Sequence, residues 1–313
     1  MKEDNQTLIL DFVLAGISNI ASIQKPLFAV FLLIYLITIL SNSMIILVTS
    51  LDSRLYKPMY FFLKHLSFLD VCCTSVTFPK LLDIISGHHH ISFMGCISQI
   101  YFFLALTSAE FLLLTAMAYD RYVAICNPLR YSALMNPRAC HFLAAGSWAL
   151  GFLDTMPPAI LSSQLSFCSS NYINHFFCDL VALMKNACGG TQRLEILIFA
   201  EGLFSGLMPF VLTITSYVHI ISTIMKISSA SGRSKAFSTC TSHLTVVIIF
   251  YGTVLCMYMR PTSVYELNQD KLYSVLYIAL IPVLNPMIYT LRNKDVKGAI
   301  RKMIVRQECG EHI

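Results

Sequence analysis

The residues of this chain that could do chemistry are few, and they are not arranged for catalysis. No HExxH, P-loop, GxSxG or GxGxxG pattern occurs. The one local run of metal-binding type is His88-His89-His90. Adjacent side chains there point in different directions, which favours a solvated loop over a metal site. What remains are isolated acids and bases in apolar surroundings: Asp70, Glu110 and an Asp120-Arg121-Tyr122 triplet. An acid inside an apolar stretch of membrane length is costly and marks function. The stretches themselves therefore decide how these groups are read.

Of 313 residues, 56% are hydrophobic and 12% charged, against about a quarter charged in soluble domains. Apolar runs of bilayer length, roughly 20 residues, recur along the whole chain and leave no room for a soluble domain. Seven spans are read: Pro26–Thr49, Met59–Ile85, Ile97–Val123, Ala139–Leu161, Leu194–Met225, Ala236–Met259 and Leu272–Leu291. Only helices or closed barrels satisfy their backbone in a bilayer. Barrel strands alternate in polarity over about ten residues, and these runs are continuous and longer. The expected fold is an all-α membrane protein, a seven-transmembrane helix bundle, with residues 1–25 outside, 26–291 in the bundle and 292–313 as a cytoplasmic tail.

The net charge of +5 does not point to nucleic acid, because no basic stripe interleaves with aromatics. Instead Arg54, Lys57, Arg130, Arg138, Arg233, Lys235 and the basic tail share one set of connections. By the bias of Lys and Arg that side is cytoplasmic and the N-terminus extracellular, as in a multi-pass plasma-membrane protein. No cleavable signal peptide is read, so the first span is expected to act as its own insertion signal. The sequon Asn5-Gln6-Thr7 then lies where glycosylation occurs. In the tail, Val296, Ile300 and Met303–Ile304 recur at helical spacing among Lys297, Arg301 and Lys302. This fits a short amphipathic helix on membrane lipid, with a disordered basic tail as the alternative.

Topology also sorts the cysteines. Cys96, Cys168, Cys178 and Cys188 fall on the oxidising extracellular side, and four cysteines allow three pairings. In the third span Phe103, Leu104, Thr107, Ser108 and Phe111 share one helical face, suited either to a ligand or to a neighbouring helix. Asp70 lies twelve residues past Pro58, about 18 Å up its helix. Glu110 lies ten residues before Asp120, about 15 Å above the cytoplasmic end of the antiparallel third helix. At matching depth two carboxylates repel, so they share a proton or hold a cation.

Four stretches in order resemble odorant receptors, a branch of the rhodopsin-like G-protein-coupled receptors. They are LYKPMYFFLKHLSFLD (Leu55–Asp70), MAYDRYVAICNPLRY (Met117–Tyr131), KAFSTCTSHLTVV (Lys235–Val247) and PVLNPMIYTLRNKDVKGAI (Pro282–Ile300). The sequence departs from the pattern at Ser41-Asn42, where Gly-Asn is usual, and at Leu55-Tyr56-Lys57, where Leu-His is usual. It also lacks the proline that often follows the position of Cys178.

The resemblance implies a function: binding a small volatile odorant in the outer half of the bundle and activating a stimulatory-type heterotrimeric G protein, which raises cyclic AMP. It implies a ligand face of Phe103, Leu104, Thr107 and Ser108, joined by Glu201, Gly202 and Ser205, by Tyr251, Val254, Leu255 and Tyr258, and by Val275 and Ile278. It implies disulfides Cys96–Cys178 and Cys168–Cys188. The switch would comprise Asp120, Arg121 and Tyr122 with Asn285, Pro286 and Tyr289; an anchor at the lipid interface is the plainer role for Arg121. Asp70 matches the sodium site of rhodopsin-like receptors, so a sodium ion with Glu110 is expected and no other cofactor. The alternatives are a receptor of the same architecture for a non-odorant ligand, or a transporter or channel. The latter would show inverted repeats, and none is visible.

Overall fold

Long uncharged runs become long helices. The computed structural model describes residues 10–17, 21–167, 171–258 and 267–310. Among these, seven helical runs precede a helical tail: α1 (Ala21–Leu51), α2 (Pro58–Ile85), α3 (Phe93–Cys126), α4 (Pro137–Asp154), α5 (Gln192–Met225), α6 (Ala230–Tyr258), α7 (Leu267–Val275, Leu276–Leu280 and Ile281–Arg292) and α8 (Lys294–Gly310). After Thr155, α4 continues as Met156–Ser163. Starts follow ordinary capping rules: Ser92 accepts from Gly95 N–H ahead of α3, and Asn136 accepts from Ala139 N–H ahead of α4, whose first residue is proline. Two π-turns, Gly202–Leu207 in α5 and Leu276–Leu280 in α7, stand directly before Met208-Pro209 and Ile281-Pro282. A proline removes one N–H and crowds the preceding turn, and the wider turn absorbs both effects.

The seven expected spans each fall on one of these runs, Met259 at the end of the sixth lying outside the described residues. By length and composition, four helices are apolar enough to cross a bilayer: 22–51, 93–126, 192–225 and 271–289. α6 makes a fifth if Ala230–Ser238 and Cys240–Val254, bent by 45°, count as one. α2 and α4 are not among these; α2 carries Lys64, His65, Asp70 and Lys80, and α4 carries Arg138, His141 and Asp154.

α3 is the axis of the bundle, buried on most of its circumference. Gly151 lets α4 approach it closely. A Cβ there would stand 2.7 Å from the amide nitrogen of Ala109 and 2.8 Å from the carbonyl of Ala105. α3 and α5 are joined where Thr115 donates to the carbonyl of Pro209 at 3.1 Å. Asn42 ties α1 to α7 by donating to the carbonyl of Pro282 at 2.9 Å. The tail is a helix, as its spacing suggests: Val296 and Ala299 are buried, and Tyr60 of α2 donates to Asp295 at 3.0 Å.

The sequence reading foresaw no strand, yet three short ones close one end of the bundle. β1 (Asp11–Leu14) lies between β2 (His90–Ser92), antiparallel to it, and β3 (Tyr172–Ile173), parallel to it. Phe12 and Leu14 are fully buried on this sheet, in a second apolar cluster with Cys96, Ile100, Phe167 and Cys178.

Candidate functional site

The end of the bundle closed by the sheet carries the expected ligand face beneath a lid. The lid is residues 171–188, held to α3 by the disulfide Cys96–Cys178. Cys188 is disulfide-bonded too; its expected partner Cys168 lies outside the described residues. Two backbone contacts bring these segments together: Phe167 pairs with Ala187, and Cys188 N–H donates to Ser166 at 2.9 Å. Gln99 of α3 makes a further tie, accepting from the Cys178 amide at 2.8 Å and donating to Val76 of α2 at 2.9 Å. Sequence reasoning passed over Gln99, although an amide one turn below Cys96 inside a membrane run is itself a signal.

Within the lid, Asp179 accepts from the amides of Val181 and Ala182 and caps the short helix Leu180–Lys185. Its burial pushes the carboxyl above the usual aspartate range, opposed by these two bonds. His175 is buried against Phe176 and Phe177, with ring centroids at 4.6 and 4.5 Å. Burial first, and Lys271 second, push its imidazole down to about 3. The ring is therefore neutral at physiological pH, and its Nδ1 accepts from the Phe177 amide.

Phe177 carries the lid into the bundle, its ring 5.1 Å from Phe103. Phe103 also packs edge-on against Tyr277 at 5.8 Å. Thr107 donates to the Phe103 carbonyl at 2.8 Å and accepts from the Tyr277 hydroxyl at 3.0 Å. A cavity of about 50 Å³ adjoins this junction, lined in part by Phe103, Leu104, Cys178, Leu180 and Glu201. Seven other expected positions do not line this cavity. Ser205 hydrogen-bonds Asp154 of α4, and Gly202 is exposed. Tyr251 sits among Phe111, Phe210 and Phe250, with ring centroids 4.9–5.6 Å away. Val254 and Val275 pack as partly buried edges of the main core. Ile278 and Ser108 are buried in α7 and α3. The side chains of Leu255 and Tyr258, and the whole of Asn5, lie outside the described residues. Tyr277 was not anticipated: the resemblance implied Val275 and Ile278 instead, and Tyr277 lies in the π-turn Leu276–Leu280.

Deeper in the bundle, Asn285 of α7 donates to both carboxylate oxygens of Asp70 at 3.1 Å. Glu110 is buried nearby in α3, and its Oε1 has no hydrogen-bond partner among the described residues. At the opposite end from the lid, Arg121 hydrogen-bonds Asp120, whose other oxygen accepts from Tyr131 at 2.8 Å. Tyr217 of α5 and His243 of α6 meet at 2.7 Å. Tyr289 is fully buried in α7, one turn past Pro286, and Tyr122 stacks on Tyr119. The three histidines do diverge: His88 pairs with Asp83, His89 meets the Leu14 carbonyl, and His90 belongs to β2.

A family model described as "Olfactory receptor" matches residues 31–307. The chain belongs to the olfactory receptor family. Olfactory receptor 8H1 of Homo sapiens is 47% identical over 309 residues, which are 98% of this chain and 99% of that one. Olfactory receptor 5G26 of Mus musculus is 46% identical over 310 residues, 99% and 98% of the two chains. Olfactory receptor 1L4 of Homo sapiens is 46% identical over 293 residues, 93% and 94% of the two. The receptor is thus a transmembrane G-protein-coupled receptor of sensory transduction, and the lid, the buried acids and the Asp120–Arg121 pair are parts of it.

Proposed function

We propose that the receptor crosses the plasma membrane seven times with its N-terminus outside, and binds a small volatile odorant beneath the lid. On this reading it activates a stimulatory-type G protein and raises cyclic AMP. The observation that carries the ligand site is the meeting of α3, α7 and the lid at Phe103, Thr107, Tyr277 and Phe177, beside a cavity reaching Glu201. The surface there is apolar with a few polar groups, as ligand sites are. The cavity is far smaller than the roughly 300–1,000 Å³ of drug-sized sites, so a ligand binds by displacing Phe177 or Leu104. That motion gives it leverage on α7.

The same reading gives the deeper groups their roles. Arg121, held by Asp120 at rest, swings free to meet the G-protein α subunit when the cytoplasmic ends part. Lys235 stands at the start of α6 where a carboxylate would otherwise tie Arg121. Asp70 and Glu110 would hold a sodium ion: their oxygen donors suit a hard cation, and Glu110 Oε1 lacks a hydrogen-bond partner among the described residues. Bound there, the ion would supply the positive charge that lets both carboxylates stay ionised.

The test is a chemically diverse odorant panel applied to cells that report cyclic AMP, alongside an antibody to an N-terminal tag on unpermeabilised cells. Tag staining with an odorant-dependent signal is expected. A tag accessible only after permeabilisation overturns the orientation. A signal that ion replacement abolishes but G-protein removal leaves intact favours a channel.

A further inference from the structure

A cavity larger than the one beneath the lid lies elsewhere in the bundle. It is an open groove of about 800 Å³ between α3, α4 and α5, in the half of the bundle away from the sheet. Its walls are one face of each helix: Leu112, Tyr119 and Tyr122 on α3, Gly146 and Leu150 on α4, and Met208 to His219 on α5. We propose that this groove is a binding site for a membrane sterol, with the sterol hydroxyl among Tyr119, Tyr122 and His219.

Three observations carry the assignment. First, the groove opens to the bilayer rather than to water: Phe142, Leu150, Met208 and Leu212 on its rim are all at least half exposed, and the receptor is transmembrane. Second, its polarity runs along its length. The end at Leu112, Leu150 and Met208 is apolar, while the other end gathers three polar rings. Tyr122 stacks on Tyr119 at 6.3 Å and meets His219 edge-on at 5.9 Å. Thr215, Ser216 and Ser147 spend their hydroxyls on their own helices. The polar atoms of the three rings have no hydrogen-bond partner among the described residues, so they are what a ligand would meet. Third, none of the lining residues is charged. A phosphate would find no cation there, whereas a single neutral hydroxyl finds a phenol or an imidazole.

Length agrees. From Leu112 to Tyr122 is ten residues, about 15 Å of helix, or half of a hydrocarbon core about 30 Å thick. The occupant is thus a molecule one leaflet long, apolar at the midplane and hydroxylated at the surface. A rigid ring system loses less freedom on binding than a flexible acyl chain, and aromatic faces suit it. The site rests on the groove alone; only the choice of the cytoplasmic leaflet rests on the orientation proposed above.

The test uses the purified full chain in phosphatidylcholine vesicles with a photoreactive sterol bearing a free hydroxyl, followed by peptide mapping. Adducts are expected on the peptides holding 112–122, 142–150 and 208–219. Cholesterol should compete, whereas equal phosphatidylserine or a sterol with its hydroxyl methylated should not. A Cβ at Gly146 would meet nothing within 4 Å, so Gly146→Leu fills the groove at little cost to the fold. It should cut labelling at least fivefold at an unchanged melting temperature. The paired Tyr122→Phe and His219→Leu variant should abolish the preference for the free hydroxyl. Labelling spread over all lipid-facing helices, equal capture of the methylated sterol, or parental labelling of both variants overturns the site.

Discussion

The phenol of Tyr277 donates to the hydroxyl of Thr107 at 3.0 Å and so joins α7 to α3 directly beneath the lid. Thr107 is held in place by its own bond to the Phe103 carbonyl. Removing the phenol in Tyr277→Phe therefore deletes one interhelical bond without freeing its partner. A net loss of about 1 kcal/mol should move odorant potency by about fivefold, and more for odorants with a polar group than for hydrocarbons. Dose–response curves at matched surface expression read this directly. Unchanged potency of every agonist in both Tyr277→Phe and Thr107→Val would remove these residues from the pocket.

Arg121→Ala should reach the cell surface and fail to signal. Tyr131→Phe should do the reverse in part, because Tyr131 donates to the Asp120 oxygen that Arg121 does not use. Loosening Asp120 should raise basal cyclic AMP severalfold with no odorant present. Full signalling by Arg121→Ala at equal surface density leaves only the interfacial-anchor role.

Sodium dependence distinguishes a bound ion from a shared proton. If Asp70 and Glu110 hold the ion, replacing external and internal sodium with a bulky organic cation should change basal activity. The double variant Asp70→Asn, Glu110→Gln should be indifferent to that exchange. A parent receptor equally indifferent is one whose carboxylates share a proton.

Acid should open the lid. The buried His175 has its pKa pushed down to about 3 from the ordinary 6.5, so the closed lid binds fewer protons than the open one. The stabilisation is complete above pH 6.5 and is lost as pH falls toward 3. By pH 5.5 the loss is about 1.4 kcal/mol. Hydrogen exchange of residues 171–185, corrected for intrinsic rates, should accelerate accordingly between pH 7.5 and 5.5. His175→Phe should erase the difference; an unaltered pH response in that variant would falsify the assignment.

Gly151→Val should be the most damaging single change outside the polar groups. Its side chain would strike the backbone of Ala105 and Ala109, and overpacking of this kind costs roughly 1–3 kcal/mol. Surface expression and melting temperature should both drop, while Gly146→Val, five residues away, should leave them unchanged.

The helices were legible because a bilayer leaves few options: seven long apolar runs name seven helical runs within a few residues. Asp70, Glu110 and Arg121 were legible for the same reason, since charge inside such runs is conspicuous. The strands were not. Asp11–Leu14 is only four residues, and its partners are about 80 and 160 positions away, so no local pattern marks it. Tyr277 escaped because the resemblance implied Val275 and Ile278 in this helix, and nothing in the sequence marks the π-turn that carries it. The groove between α3 and α5 escaped as well, because lipid-facing and ligand-facing residues have one composition. Only assembled helices show that Gly146 opens a space.

The sheet has a consequence for biogenesis. β1 needs β3 as its parallel partner, and β3 is synthesised some 160 residues later, after four helices have been inserted. β2 can pair with β1 early, once α2 has turned back, and leaves the far edge of β1 waiting. With the N-terminus outside, as proposed above, a nascent chain stalled before Tyr172 presents an unpaired strand edge to the lumen, the kind of edge that quality-control chaperones hold and that aggregates when they do not. Retention in the secretory pathway is then expected of variants that weaken Val13–Tyr172 or Leu14–Ile173 pairing, even where every residue around the odorant is intact.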